Sequence, residues 1–293
     1  MPVTRVNVPY QKAGQRFPVL LMSDLHIGSG DCDLKLLVSD LEWAKRAGAT
    51  VLINGDVADL LLPKDQKRFT PSVLDGQLSG RDAVLNATLD LTFSVLKPYA
   101  RNLAMIGCGN HESSATRHHS VDFVRFLLDR LAQLNPKIAH GGYTGAVVFH
   151  FRRPTGGGSM FKIMYLHGAG GTAPVTKGMI DFNRFAGYAR NANLLWLGHK
   201  HNRFVAEAAE LFIPEAGDEL EYRPVWHVMT GAYTQTTVPQ LDSAGHYQSH
   251  WATERGFAPQ GHGGVRLWLV PECYRNTVRV RCEIDLRSSD RED

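Results

Sequence analysis

Residues 194–201 read Leu194-Leu195-Trp196-Leu197-Gly198-His199-Lys200-His201. Four consecutive apolar residues fit a short strand buried on both faces. The segment that leaves it can aim two imidazoles, two positions apart, at a single place. The same arrangement occurs four times earlier in the chain. Pro18 to Ser23 delivers Asp24 and His26, and Thr50 to Ile53 delivers Asn54, Gly55 and Asp56. Leu103 to Ile106 ends in Gly107-Cys108-Gly109-Asn110-His111-Glu112, and Phe161 to Leu166 delivers His167 and Gly168.

Helical periods separate these runs. Asp33 to Ala47 repeats Leu34, Leu37, Val38, Leu41 and Ala44, with Asp31 or Asp33 as N-cap and Gly48 at the end. Further helices are predicted over Arg81 to Leu96, which Pro98 closes, over Val121 to Leu134, and over Lys177 to Ala192. Ala146 to Phe151 and Phe161 to Leu166 read as a hairpin with its tip at Pro154 to Ser159. Leu60 to Gly80, broken by Pro63, Pro71, Gly76 and Gly80, reads as a surface excursion. Strands alternating with helices predict an α/β fold, whose ligands bind where strands release their carboxyl ends. Beyond His201, strands at Phe204 to Ile213, Val225 to Met229, Val265 to Val270 and Thr277 to Ile284 have little helix between them. They suggest a second, largely antiparallel sheet. The long run Tyr233 to Gln260 is a candidate cover for the site, with Tyr233, Tyr247 and Trp251 available to stack on a base, or else an inert surface loop.

Composition bounds the reading. With 43% hydrophobic residues in 293, the chain can bury a sizeable core, expected as one domain over 1–286 with a charged tail at 287–293. A net charge of +3 without a Lys/Arg block gives no argument for a nucleic-acid or membrane partner. No apolar run approaches the ~18 residues of a membrane span. Met1 to Phe17 carries Arg5, Lys12 and Arg16 without a continuous apolar stretch, so it does not read as a secretory signal. Cys32, Cys108, Cys273 and Cys282 form no Cys-x-x-Cys pair, and reduced thiols in a cytoplasmic protein are expected.

The chemistry rests on the residues at the strand ends. Carboxylate, imidazole and amide oxygen suit Mn²⁺, Fe or Zn²⁺, whereas a thiolate-rich set would mark a structural zinc site. Asp24, His26, Asp56, Asn110, His167, His199 and His201 exceed what one ion needs, so two divalent ions are expected.

The order Asp-x-His, Gly-Asp, Gly-Asn-His-Glu, His and Gly-His-x-His resembles the five-part pattern of the calcineurin-like metallophosphoesterase superfamily, and every part is present between Asp24 and His201. The resemblance implies a four-layer α/β sandwich of two mixed β-sheets flanked by helices. It assigns one metal to Asp24, His26, Asp56 and His201 and the other to Asp56, Asn110, His167 and His199, with Asp56 bridging. Mn²⁺ is the favoured ion, and Fe, Zn²⁺ and Ni²⁺ also occur in the superfamily. The implied reaction is attack on a phosphoester by a hydroxide that bridges the two ions. His111 would serve as general acid or electrostatic stabiliser of the leaving oxygen, or else merely cap a helix or hydrogen-bond a carboxylate. Asp59 and Glu112 read as partners that orient ligand imidazoles rather than as ligands, or equally as solvated carboxylates.

Substrate class follows from a departure. The phosphoprotein phosphatases share Gly-Asn-His-Glu but carry an Arg shortly after the second Asp, and Gly55-Asp56-Val57-Ala58-Asp59-Leu60 has none. A diester is therefore expected, as a nucleotide, a nucleic-acid end or another small phosphodiester. The alternatives are a phosphomonoesterase, including a phosphoprotein phosphatase, and a non-catalytic scaffold, which would lack ligands that are all present here. Arg117 and His118, with His119, read either as substrate contacts at the site rim or as a polar helix start. Gly168 to Gly171 reads as a flexible turn, lacking the Gly-Lys-Ser/Thr ending of a phosphate loop.

Overall fold

A computed structural model describes residues 1–60, 76, 78, 83–154, 156–171, 176, 178–213, 219–235, 240–241, 247–248, 256, 261–274 and 277–286. Most of the expected excursion at 60–80, the start of the predicted helix at 81, most of the run 236–260 with Trp251, and the tail at 287–293 lie outside the described residues.

In chain order the strands are β1 (Val3–Pro9), β2 (Phe17–Met22), β3 (Thr50–Ile53), β4 (Leu103–Gly107), β5 (Ala139–Gly142), β6 (Thr144–Arg152), β7 (Gly158–Leu166), β8 (Leu194–Leu197), β9 (Phe204–Phe212), β10 (Glu221–Met229), β11 (Gln240–Leu241), β12 (Tyr247–Gln248), β13 (Val265–Tyr274) and β14 (Thr277–Asp285). The helices are α1 (Leu34–Ala47), α2 (Val84–Leu96), α3 (Asn110–His119), α4 (Phe123–Leu131) and α5 (Met179–Tyr188).

Each helix starts and stops for local reasons. The Asp33 side chain accepts the Leu36 N–H at 3.0 Å and caps α1, so of the two acidic candidates Asp33 is the cap. Gly48, at φ 66°, closes the same helix in the left-handed conformation. Asp122 caps α4 in the same way, accepting from the Arg125 N–H.

Two mixed six-stranded sheets form the centre of the molecule. One has the order β14-β13-β2-β3-β4-β5, the other β1-β6-β7-β8-β10-β9. In the first, β2, β3, β4 and β5 run parallel and the β13–β14 hairpin joins antiparallel to β2. In the second, β8 lies parallel between β7 and β10, while the β6–β7 and β9–β10 pairs are antiparallel. The expectation of a largely antiparallel second sheet built from the C-terminal strands is corrected: those strands divide between the two sheets, β9 and β10 in one and β13 and β14 in the other. Alternation along Val265, Leu267 and Leu269 marks a buried face, but a period of two names no partner strand.

The apolar residues sort into four layers. Leu20 and Met22 of β2 pack with Val51 and Ile53 against Leu37 and Leu41 of α1 and Val124 and Leu127 of α4. The alternate residues, Val19, Leu21 and Leu52, turn inward to meet Phe149, Ile163, Tyr165 and Trp196 of the other sheet. Leu195 and Leu197, on the far side of β8, pack with Phe182 and Phe185 of α5. The sequence 194–197 is apolar without a break because both of its faces are covered. Full burial of each such Leu stabilises by about 1.5–3 kcal/mol, which anchors the strand whose end carries His199 and His201.

β1 and β5 have no counterpart in the sequence reading. β1 turns Thr4, Val6 and Val8 inward between exposed neighbours, a period of two with only two apolar members, and β5 is Ala-His-Gly-Gly, which carries no hydrophobic period. Among the described residues no helix is long and apolar enough to cross a membrane. All four cysteines are free thiols.

Candidate metal centre

The ends of β2, β3 and β4 in one sheet and of β7 and β8 in the other meet at one place. The Asn54 side-chain amide, just past β3, donates to the Leu166 carbonyl of β7 at 3.1 Å and ties the two sheets together there. Among the described residues seven non-glycine positions have positive φ, and five of them are candidate ligands: Asp24 (55°), His26 (47°), Asp56 (47°), His199 (66°) and His201 (55°). Such left-handed conformers cost about 1–2 kcal/mol per residue. Backbone bonds between the loops hold them: Asp24 N–H donates to Gly55 O at 3.1 Å, His26 N–H to Asp56 O at 3.1 Å, and Tyr233 N–H to Asp24 O at 2.9 Å.

Two glycines permit this interlocking. A Cβ on Gly109 would lie 2.1 Å from Asp56 Oδ1, and one on Gly55, itself at φ 79°, would lie 2.4 Å from the Gly109 nitrogen. The Gly-Asp and Gly-Asn-His segments therefore touch backbone to backbone. Glu112, buried in the first turn of α3, completes the joint. Its Oε2 accepts from Gly109 N–H at 2.7 Å and Asp56 N–H at 3.0 Å, and Oε1 from Val57 N–H at 2.8 Å and Ala58 N–H at 3.3 Å.

The side chains form three gatherings, in each of which the ligating atoms lie within 4.8 Å of one another: Asp24, Asp56, His167 and His199; Asp24, His26 and His201; and His26, Asp59 and His111. Asp24 is common to the first two, while Asp56 Oδ2 lies 3.3 Å from His167 Nε2. Asn110 Oδ1 is also 3.3 Å from His167 Nε2. His167 Nδ1–H donates to the Asn54 carbonyl at 2.7 Å, which fixes the ring with Nε2 toward the two carboxylates. His199 N–H donates to Asp24 Oδ2 at 2.9 Å, and the Ser23 hydroxyl donates to the same oxygen.

The electrostatics follow from crowding. Burial would raise the Asp24 carboxyl, but the surrounding His201 and His167 hold it down at about 2. Asp56 is held well below the ordinary carboxylate range, burial being outweighed by His167, His111 and His26. Burial, with the neighbouring His111 and His201, pushes His26 down to about 4. Burial is overcome at His167, raised to about 10 by Asp56 and Asp24, and at His111, raised to about 9 by Asp56 and Asp59.

The donor set fits divalent cations. His26 Nε2 and His201 Nε2 approach to 3.2 Å, nitrogen facing nitrogen. Asp24 Oδ1, 3.3 Å from His201 Nε2, has no well-formed hydrogen bond, and the buried His199 Nδ1 has none either. Carboxylate and imidazole atoms aimed at one another, with Asp24 Oδ1 and His199 Nδ1 buried among them, are what a cation would satisfy.

His111 lies at the edge of this cluster, its ring 4.9 Å from that of His26 and its Nδ1 2.9 Å from Asp59 Oδ1. The two expected orienting carboxylates therefore act differently from expectation. Asp59 holds His111, outside the candidate ligand set, and Glu112 holds backbone amides. Arg117 and His118 are exposed in the last turn of α3, so the alternative of a helix start is corrected to a helix end: α3 begins at Asn110, inside the motif, where the polar Asn-His-Glu-Ser-Ser run hides the helical period. Tyr233 is buried, its hydroxyl donating to Asp40 at 2.8 Å, and is not available to stack on a base. Tyr143, not singled out by its sequence, packs on His167 with ring centres 5.3 Å apart and donates to Gly168 O. Ser23, Asn54 and Lys200 went equally unmarked; their one common signal is adjacency to a candidate ligand or its loop.

No family model matches the chain, and no curated protein matches it. Solved structures do. A calcineurin-like phosphoesterase YfkN from Bacillus subtilis is 12% identical with a TM-score of 0.38, covering 94% of this chain and 91% of that one. A conserved uncharacterised protein from Streptococcus pneumoniae, described as a predicted phosphoesterase, is 13% identical with a TM-score of 0.33, covering 92% and 99%. Vacuolar Protein Sorting 29 from Cryptosporidium parvum is 12% identical with a TM-score of 0.33, covering 92% and 98%. At these values the weight falls on this chain's own side chains: a two-sheet α/β protein, similar in motif order to the calcineurin-like phosphoesterases, with a strand-end cluster of carboxylates and imidazoles.

Proposed function

We propose that this protein is a metal-dependent phosphoesterase acting on phosphodiesters. The observation that carries the reading is the meeting of Asp24, His26, Asp56, His167, His199 and His201, with Asn110 beside them, from five strand ends of two sheets. Asp24, His26 and His201 would hold one divalent ion and Asp56, His167, His199 and Asn110 the other, with the two carboxylates between them. Bound there, such ions neutralise phosphoryl charge and lower the pKa of water toward neutrality. The chain's own residues do the rest. The Asn54 carbonyl and the Ser23 hydroxyl keep His167 and Asp24 in one orientation, so little rearrangement accompanies loading. Asp59 Oδ1, 2.9 Å from His111 Nδ1, holds that side of the ring, which leaves Nε2 as the position from which it can donate to a departing oxygen.

The diester preference is supported by where the cations are. No Arg stands in Val57 to Leu60 directly after Asp56, Arg117 is exposed at the far end of α3, and the Lys200 ammonium is engaged by carbonyls. A monoester dianion would thus meet the ions without a clamp from these side chains, whereas a singly charged diester needs none. The test is hydrolysis of a matched chromogenic diester and monoester by protein stripped of metal and reloaded with Mn²⁺, with Asp56→Asn as control. A diester rate above the monoester rate, abolished in the variant, supports the proposal; the reverse preference replaces it with a phosphomonoesterase.

A further inference from the structure

Lys200 stands between His199 and His201, where a cation could be expected to face the substrate. Its side chain is turned inward instead, with the residue only 6% exposed. The ammonium donates to three successive carbonyls, Ala169 O at 2.6 Å, Gly170 O at 3.0 Å and Gly171 O at 2.9 Å, and Asp181 Oδ2 of the first turn of α5 lies 3.2 Å away. Among the described residues these four acceptors face the three protons of the ammonium. The three carbonyls belong to the segment directly after His167 and Gly168. That segment already leans on the Lys200 loop: Gly198 N–H donates to His167 O at 3.0 Å, and a Cβ on Gly168, at φ 117°, would lie 3.0 Å from His199 Cβ.

Among the described residues, four oxygens converging at 2.6–3.2 Å have the form of a monovalent-cation cage, and the lysine fills it with a cation tethered to the loop that carries two candidate ligands. We propose that Lys200 is a positioning residue: its ammonium, caged by the carbonyls after His167, locks the His167 loop against the His199/His201 loop and so sets the spacing of the imidazoles. The inference rests on the metal-centre reading above. It also gives the glycine-rich run 168–171 a task, since consecutive carbonyls can turn toward one point only where the backbone is free to bend, and Gly168 and Gly170 both have positive φ.

The test uses Lys200→Met, which keeps the stem and removes the donors, and Lys200→Ala, which opens the cage. Binding of Mn²⁺ to metal-stripped protein is measured by calorimetry, and amide exchange of 168–171 and of Gly198 by mass spectrometry. Lys200→Met weakens Mn²⁺ binding about tenfold or more, as loss of partners behind metal ligands does, and speeds exchange at those amides. Ammonium chloride, added at constant ionic strength, restores both to Lys200→Ala, and tetramethylammonium, too large for the cage, does not. Wild-type affinity and exchange in Lys200→Met overturn the proposal, as does a loss in Lys200→Ala that ammonium leaves unchanged. Should wild-type protein bind no Mn²⁺, the metal-centre reading fails on its own, and unchanged exchange in Lys200→Met then overturns the positioning role separately.

Discussion

Glu112 accepts the backbone N–H of Asp56 at 3.0 Å, across a sequence separation of 56 residues. A side chain thus supports the backbone of a candidate ligand in a left-handed conformation. Because four N–H groups point at the two carboxylate oxygens, an amide cannot replace the carboxylate. In Glu112→Gln whichever way the amide is turned its NH₂ faces backbone donors. The expected loss is about 2–3 kcal/mol of stability, from buried donors left unsatisfied, together with weaker Mn²⁺ binding. Chemical denaturation reads the first and calorimetry the second; wild-type behaviour in both would remove Glu112 from the account.

Gly109→Ala tests the contact between the two motifs. The added methyl would meet Asp56 Oδ1 at 2.1 Å, and relief requires moving one candidate ligand or the start of α3. Overpacking of this kind costs about 1–3 kcal/mol, and Mn²⁺ affinity should fall with it. Gly187→Ala is the matched control. It lies in α5 with nothing within 4 Å of its added Cβ, and should stabilise by roughly 0.5–1 kcal/mol. Equal denaturation midpoints for the two variants would contradict the packing described.

His111→Asn separates proton transfer from metal holding. If His111 gives a proton to the leaving oxygen, kcat falls by about 10²–10⁴ while the Mn²⁺ content of the purified protein is unchanged. Asp59→Asn, which retains an oxygen for Nδ1–H to donate to, should show a smaller loss in the same direction. A His111→Asn protein that loses its metal instead would make His111 a ligand, consistent with the His26, Asp59 and His111 side chains lying close enough to form a third gathering.

Metal loading should stabilise the fold. At a free ion concentration a thousandfold above Kd the gain is about 4 kcal/mol, or roughly 10 °C in Tm for a chain of this size. Differential scanning calorimetry of stripped and Mn²⁺-loaded protein measures it. Asp24→Asn should abolish most of the shift, because Asp24 belongs to the first two gatherings; a full shift in that variant would place the ions elsewhere.

Much of this was legible because ligand-type residues follow short apolar runs. Thr50–Ile53 and Leu194–Leu197 are apolar on both faces, and the runs that end at Asp24, Asp56, Asn110, His167 and His199 all lie at the meeting point of the two sheets. What could not be read depends on contacts between distant segments. Nothing local in Val265–Tyr274 says that it pairs with β2. The left-handed conformations of Asp24, Asp56 and His199, which Asp and His tolerate better than most residues, are held by neighbouring loops and leave no local mark in the sequence. Nothing local to Lys200 says that its ammonium meets three carbonyls of the segment after His167. Glu112 is an ordinary helix-start acid in the sequence, and only the fold turns it toward Asp56.

The most direct measurement is anomalous diffraction from crystals of the protein loaded with Mn²⁺, collected on either side of the manganese edge. The account predicts two peaks, one against Asp24, His26 and His201 and the other against Asp56, Asn110, His167 and His199. A single peak, or peaks away from these side chains, would contradict it.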